Sequence, residues 1–250
     1  MEILGIDIGG SGVKGAPVDC ETGELTQARH RIPTPQPATP KAVTGTIKAF
    51  ADEFNWTGRI GCGFPAIVQN GIVKSAANIS EKWVGMNAEG IFAKATGCRT
   101  VVKNDADVAA LAEMKLGAGK NQKGVVLLIT VGTGLGTALF HEGRLIPNLE
   151  LGHAFFKGKI AERYASDAAR KREDLSWPQW SDRFNKYLKY LERLLSPDLF
   201  IIGGGVSKKF GKIQPHLSIE TRIVPAELLN NAGIIGAAIA ASQAVYNDNV

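Results

Sequence analysis

A few short segments of this chain combine glycine turns, carboxylates and basic side chains in spacings that suit oxyanion binding and proton transfer. Asp7 closes the apolar run Ile3 to Ile8 and is followed by Gly9-Gly10-Ser11-Gly12 and then Lys14. Glycines let consecutive backbone N–H groups converge on an oxyanion. Lys14 adds neutralising charge, and Asp7 suits Mg²⁺, bound directly or through water. A comparable turn, Gly132-Thr133-Gly134, follows the run Val125 to Val131. One such turn fits a tight hairpin equally well, but two at matching places point to a phosphate clamp. Asp105 opens an apolar helical pattern, where its carboxylate suits either the general base for a hydroxyl or the cap of the helix. Glu150-Leu151-Gly152-His153 sets a carboxylate and an imidazole three residues apart. Alone, a histidine in a glycine-rich segment fits a structural role as well as a functional one.

The elements that must position these residues follow from periodicity and turn chemistry. Ile3–Ile8, Val13–Val18 and Leu25–Ile32 predict three antiparallel strands, with a turn at Glu21–Glu24. Gly10 to Gly15 also matches the G-x-G-x-x-G dinucleotide pattern, which requires a following helix. Pro17, Val18 and the Glu21–Glu24 turn predict a hairpin instead, so a Rossmann site is rejected. Thr39-Pro40 predicts a helix start after the Pro-rich segment 34–40, continued by Val43, Ile47, Phe50 and Phe54. Strands are expected at 59–64, 71–75 and 100–103, with helices at 87–97 and 105–116. The pattern then begins again, with strands at 125–131, 135–140 and 144–146, helices near 161–172 and 177–195, a strand at 199–202 leading into Gly203-Gly204-Gly205, and a final Ala-rich helix at 231–245. Each half thus runs strand, glycine turn, strand, strand, helices. That is an internal duplication with a boundary near 103–106 and a ligand cleft expected between the halves.

The chain has 250 residues, 44% of them hydrophobic, enough for one large α/β domain or two smaller ones. Lys+Arg 29 against Asp+Glu 24 gives a net charge of +5, a mild bias toward polyanionic partners. The scattered Cys20, Cys62 and Cys98 give no disulfide framework or zinc ribbon. No basic segment precedes an apolar run at the N-terminus, and no apolar stretch approaches the ~18 residues that cross a bilayer. A cytoplasmic protein without a membrane partner is the expectation.

Leu4-Gly5-Ile6-Asp7-Ile8-Gly9-Gly10-Ser11-Gly12-Val13-Lys14 resembles the first phosphate motif of the actin-like ATPase and sugar-kinase superfamily. Val131-Gly132-Thr133-Gly134-Leu135-Gly136 resembles its second phosphate motif, and Ile201-Ile202-Gly203-Gly204-Gly205-Val206 its nucleoside motif. Asn104-Asp105-Ala106-Asp107 and Glu150-Leu151-Gly152-His153 resemble the catalytic and sugar segments of the ROK branch (repressors, open reading frames, kinases). Thr34-Pro35-Gln36-Pro37-Ala38-Thr39-Pro40, Ala76-Ala77-Asn78, Ala118-Gly119-Lys120-Asn121 and Pro197-Asp198-Leu199-Phe200 look like the polyphosphate glucokinases and glucomannokinases of actinobacteria within it.

The resemblance implies a two-domain actin-like (ribonuclease H-like) α/β fold with a central cleft. The small domain comprises residues 1–104 with the C-terminal helix from about 236, and the larger one 105–235. It implies phosphoryl transfer from polyphosphate, ATP or both to the 6-hydroxyl of glucose, and of mannose in some relatives. Asp105 falls on the family's general base and Asp7 on its metal-placing residue. Asn78, Asn104, Asp105, Glu150, His153 and Glu162 fall on sugar-binding positions. Gly9, Gly10, Ser11, Gly12, Lys14, Gly132, Thr133 and Gly134 fall on phosphate-binding positions, and Gly203, Gly204 and Gly205 on the nucleoside pocket. A homodimer is implied as well.

Most ROK proteins carry a cysteine-rich zinc loop after the E-x-G-H segment. Here Ala154-Phe155-Phe156-Lys157-Gly158-Lys159 follows, so Mg²⁺ but no structural zinc is expected. Phe155 and Phe156 are expected to pack in the metal's place. Lys208, Lys209 and Lys212 cluster after Gly205, as a solvated surface or as a track for a phosphate chain. No nucleic-acid motif is present. An ATP-only hexose kinase, a non-catalytic sugar-sensing regulator and an actin-like filament protein are the competing readings. The intact Asp105 and the phosphate turns weigh against the regulator, and the E-x-G-H segment against the filament.

Overall fold

Backbone meets backbone where the C-terminal helix crosses the first sheet, and glycines make that possible. The computed structural model describes residues 1–77 and 79–247. By its contacts the chain divides into two units, Met1–Ala112 with the described part of Asn231–Val250, and Glu113–Asn230.

The first unit holds β1 (Glu2–Ile8), β2 (Val13–Asp19), β3 (His30–Ile32), α1 (Pro40–Glu53), β4 (Ile60–Phe64), the small hairpin β5 (Val68–Gln69) and β6 (Ile72–Val73), α2 (Ala88–Thr96) and β7 (Thr100–Asn104). It also holds most of α3 (Asp105–Leu116). Its sheet has the order β3-β2-β1-β4-β7, with an antiparallel hairpin and meander on one side and parallel strands on the other. Thr39 caps α1, its side chain accepting from the Ala42 N–H, and Pro40 is the first helical residue. Val43, Ile47 and Phe50 of α1 join Leu4, Ile6, Phe64, Trp83 and Phe92 in one core.

The second unit repeats the arrangement with β8 (Val125–Val131), β9 (Leu135–His141), β10 (Arg144–Ile146), the hairpin β11 (Phe155–Phe156) and β12 (Lys159–Ile160), α4 (Glu162–Ala165), α5 (Asp167–Arg172), α6 (Trp177–Leu195), β13 (Leu199–Gly204), α7 (Phe210–Ile213) and β14 (Arg222–Pro225). Its sheet order is β10-β9-β8-β13-β14, again a meander beside parallel strands. α6 starts with a capping box between Ser176 and Gln179 and buries Trp180, Phe184, Tyr187, Leu188 and Leu191 against this sheet's strands. The chain then returns to the first unit as α8 (Ala232–Asn247).

Several sequence expectations change, among them the strand expected over 71–75, which shortens to Ile72–Val73. The strand expected over 25–32 shrinks to His30–Ile32, with a single bridge between Val18 and Leu25. Pro17 accepts a hydrogen bond from the Thr26 N–H on that side of β2 but has no N–H to return, so the ladder stops. The helix expected over 161–172 breaks at Ser166, which turns extended at ψ 163° and caps α5 by accepting from the Ala169 N–H. Of the two aromatics after His153, Phe156 packs against Tyr164, Tyr187 and Tyr190, whereas Phe155 is 74% exposed. Adjacent strand residues point to opposite faces, so only one of the pair can face the core.

α8 lies against β1 and β4 so closely that a Cβ on Gly5 would sit 2.1 Å from the Ile234 carbonyl oxygen. One on Gly61 would sit 1.8 Å from that of Ala237. Gly61→Ala is therefore expected to destabilise the protein by about 1–3 kcal/mol or more, because neither backbone can yield. Gly45→Ala, at an exposed helical glycine of α1 with open space around it, is expected to stabilise by about 0.5–1 kcal/mol. Urea unfolding of the two variants beside the parent protein checks both signs.

Candidate active site

In the first unit the candidate side chains gather at the C-terminal ends of the parallel strands. Asp7 pairs in register with Lys14 on β2 and with Gly63 on β4, and Gly63 pairs with Lys103 on β7. Lys14 Nζ lies 3.6 Å from Asp7 Oδ2, with both side chains partly exposed. Burial pushes the Asp7 carboxyl up from the usual carboxylate range, and Lys14 beside it pulls it back. A Cβ on Gly63 would stand 3.8 Å from Asp7 Oδ1 and 3.7 Å from the Asp105 Cα, so Asp7 and Asp105 flank this glycine. Gly233, in the first turn of α8, comes as close to Asp7: a Cβ there would be 2.8 Å from the Asp7 Cγ.

Cap and candidate base are separate residues. Asn104 Oδ1 accepts from the N–H groups of Ala106, at 2.9 Å, and Asp107, at 3.1 Å, while its amide donates to the Ala66 carbonyl. The α3 cap is thus Asn104, which is buried. Asp105 is the first helical residue, and its Oδ1 accepts from the Ala106 N–H at 2.8 Å. The turn after β1 is closed by the Gly9 N–H donating to the Gly12 carbonyl. Beside it lies a pocket of about 300 Å³, lined by Ile8, Gly9, Thr34, Gln36, Pro65 and Ser80 among others. Asn78 lies outside the described residues.

In the second unit a chain of polar groups leads from the glycine turn. The turn closes with the Gly132 N–H on the Gly134 carbonyl, and the Gly132 carbonyl accepts from the Ala168 N–H. A Cβ on Gly134 would come within 2.4 Å of Glu162 Oε2, so this carboxylate hangs over the turn. Glu162 Oε1 lies 3.8 Å from His153 Nε2, and Glu150 Oε2 lies 3.8 Å from His153 Nδ1. Both separations are longer than hydrogen bonds. Burial holds the Glu150 carboxyl above the usual range, with His153 opposing and Glu162 adding to the rise. Gly152 presses on the start of β9, where a Cβ would be 2.1 Å from the Leu135 carbonyl oxygen. The Leu151 N–H donates to Thr137 Oγ1, which donates in turn to the Leu149 carbonyl, and this anchors the Glu150–His153 segment. Thr137 had no sequence signal, because its partners are 12 and 14 residues away.

At the end of β13, Gly204 takes φ +74° with its backbone against Val131, a conformation and approach that glycine allows. Ser207 Oγ holds the Gly204 carbonyl. Lys208, Lys209 and Lys212 follow and are all exposed.

Mg²⁺ is commonly held by one or two carboxylates together with phosphate oxygens and water, not by a full protein cage. Asp7 supplies such a donor, a partly exposed carboxylate oxygen beside the glycine turn, and the site fits the ion. Among the described residues no group of three or more His, Cys, Asp or Glu could hold a metal, and Cys20, Cys62 and Cys98 are buried free thiols. No helix among the described residues is long and apolar enough to cross a membrane.

Comparison with known proteins places the sequence and its fold. A polyphosphate glucokinase of Mycobacterium tuberculosis is 47% identical over 238 residues, covering 95% of this chain and 90% of that protein. The crystal structure of an inorganic polyphosphate/ATP-glucomannokinase from Arthrobacter sp. strain KM superposes with a TM-score of 0.93 at 44% identity, covering 97% of this chain and 99% of that one. A ROK family glucokinase from Streptomyces griseus, solved with glucose and AMPPNP, shares the fold with a TM-score of 0.83 at 24% identity, over 97% of this chain and 100% of its own. Residues 3–162 match the ROK family model. The chain belongs to the ROK family.

Proposed function

We propose that this protein is a glucokinase that transfers a phosphoryl group from inorganic polyphosphate or ATP to the 6-hydroxyl of glucose. The observation that carries this reading is the 47% identity, over nearly the whole chain, to a polyphosphate glucokinase. The similarity to a glucomannokinase supports mannose, which differs from glucose only at C2, as a second acceptor in this reading. The reading includes a cytoplasmic homodimer.

In the proposed mechanism Asp105 accepts the proton of the sugar 6-hydroxyl as its oxygen attacks the terminal phosphorus. The bond from that phosphorus to the bridging oxygen breaks, and the shortened polyphosphate or ADP leaves. Asn104 fixes the first turn of α3 and so the place of Asp105. The N–H groups of the Gly9–Gly12 turn and the Lys14 ammonium neutralise phosphate oxygens. In the second unit the turn Gly132-Thr133-Gly134 is assigned to phosphate. Glu150, His153 and Glu162, with Asn78 and Asn104 of the first unit, are assigned to the sugar hydroxyls, which both donate and accept. Gly203, Gly204 and Gly205 are assigned to the nucleoside of ATP. Asp7 would hold Mg²⁺, which when bound withdraws charge from the phosphate oxygens.

Asp105→Asn keeps shape and hydrogen-bonding reach but removes the base. It is expected to lower kcat by roughly 10²–10⁴-fold with little change in glucose affinity. A coupled glucose 6-phosphate assay, run with polyphosphate and then with ATP, measures both, and near-normal turnover would remove Asp105 from the role.

EDTA is expected to stop catalysis by withdrawing Mg²⁺ while leaving the thermal midpoint unchanged, because no structural zinc is proposed. Stoichiometric zinc by elemental analysis, or melting with a zinc-selective chelator, would contradict this.

The two donors should compete for the same terminal phosphoryl position. Polyphosphate continues beyond it as a line of charges, and each lysine or arginine contact there releases counterions. Its apparent affinity is therefore expected to fall more steeply with KCl than that of ATP. Neutralising Lys208, Lys209 and Lys212 together should weaken polyphosphate use more than ATP use. Equal salt slopes for the two donors would dismiss an extended basic track.

A further inference from the structure

The first glycine turn is gripped from one side. The Gly9 carbonyl accepts from Thr34 Oγ1, the Ser11 carbonyl from Arg31 Nη2 at 2.8 Å, and the Gly10 carbonyl, more weakly, from Gln36 Nε2 at 3.5 Å. Three consecutive turn carbonyls are thus held by three side chains of a single segment. In a trans peptide the C=O of one residue and the N–H of the next point in opposite directions across the same plane. Fixing the carbonyls of Gly9, Gly10 and Ser11 therefore aims the N–H groups of Gly10, Ser11 and Gly12 away from that segment. None of these three N–H groups donates to a backbone carbonyl among the described residues. Such a row of N–H donors is the arrangement that holds an oxyanion.

The gripping segment is itself anchored at both ends. Arg31 pairs with Lys14 in the β2–β3 ladder, and a Cβ on Gly12 would lie 2.6 Å from Arg31 Nε, so its guanidinium lies over the turn. At the other end the Trp83 indole N–H donates to the Ala38 carbonyl at 3.1 Å, and Thr39 caps α1. Thr34 itself is buried. A glycine turn alone has many conformations of similar energy, and this brace selects one of them before a donor arrives.

We propose that Thr34 and Arg31, with Gln36 beside them, are positioning residues that orient the Gly9–Gly12 turn toward the donor phosphate. This rests on the kinase reading for the identity of the donor. The role predicts a selective defect: donor binding should weaken while glucose binding does not.

The test uses Thr34→Val, which removes the hydroxyl without changing charge, Thr34→Ser, which retains it, and Arg31→Lys, which keeps the charge but loses the planar fork. Wild-type phosphorylation of glucose with polyphosphate is measured first. Thr34→Val and Arg31→Lys are each expected to raise KM for both polyphosphate and ATP about five- to tenfold, the worth of one hydrogen bond, with glucose KM unchanged. Thr34→Ser is expected to restore the wild-type donor KM. Arg31 is exposed, so its variant keeps the test decisive if Thr34→Val fails to fold. A wild-type donor KM in either folded variant overturns the proposal. So does a glucose KM that rises in step, or a serine variant that behaves like valine. If the wild-type protein phosphorylates no glucose, the kinase reading falls, and calorimetric binding of tripolyphosphate decides the positioning role alone. A five- to tenfold weaker affinity in Thr34→Val supports it, and equal affinity overturns it.

Discussion

The first unit depends on the absence of side chains where three backbones meet. α8 can reach β1 and β4 only because Gly5 and Gly61 present no Cβ, and α3 can reach α8 only because Gly236 presents none to the Val108 carbonyl, 1.6 Å from where it would stand. This contact sets the level at which the start of α8 arrives beside Asp7. Helix N-termini carry partial positive charge, which offsets part of the cost of burying that carboxylate, as Lys14 does from the neighbouring strand. Gly63 continues the same gap at the height of Asp7 and admits the Val108 side chain of α3, 2.7 Å from where a Cβ would stand. Packing and chemistry thus share one constraint: glycines that admit the helix also bring the carboxylates to one end of the sheet.

The two units use the same sheet order but hold their glycine turns differently. In the first, neutral and cationic side chains grip the carbonyls, and Lys14 and Arg31 stand nearby. In the second, a backbone N–H from Ala168 holds Gly132, and the Glu162 carboxylate lies against Gly134. A carboxylate at that distance repels an anion on its own side of the turn. Its other oxygen lies 3.8 Å from His153 Nε2. The first turn is therefore flanked by cationic side chains, and the second by a carboxylate next to an imidazole. The two units share one sheet order, and the side chains around each turn give the two turns different electrostatics.

What was legible in the sequence was what local chemistry decides. The strand–glycine–strand pattern, the Thr39-Pro40 start of α1 and the full extent of α6 are written in neighbouring residues. The failures turn on partners or alternatives that the local pattern leaves open. β3 stops short because of what Pro17 lacks on one side of another strand. The break at Ser166 reflects a choice between continuing a helix and capping the next one. β14 is a four-residue edge strand ending in Pro225, whose pairing with β13 supplies what its own pattern does not. At the site, Asp105 could be read as cap or base, and only the hydrogen bonds of Asn104 assign the cap elsewhere. The Pro-rich segment showed a loop, but Thr34 bonding to a residue 25 positions earlier had no local signature.

Choice of donor falls outside all of these constraints. Both polyphosphate and ATP present a terminal phosphoryl group, so on the proposed reading the Gly9–Gly12 turn and Lys14 meet the same donor atoms in either case, and Asp105 the same sugar hydroxyl. Discrimination has to come from groups that meet the remainder of the donor. One donor continues as repeated charge, and the other ends in a neutral base and sugar. Gly204, pressed on Val131 with positive φ, is fixed by packing and Ser207. The lysines just beyond it are exposed and can change without disturbing the core. On the proposed reading, chain-length and donor preference can therefore drift on this surface while the fold and the proposed base stay unchanged, because the packing that fixes Asp7 and Asp105 involves none of those lysines.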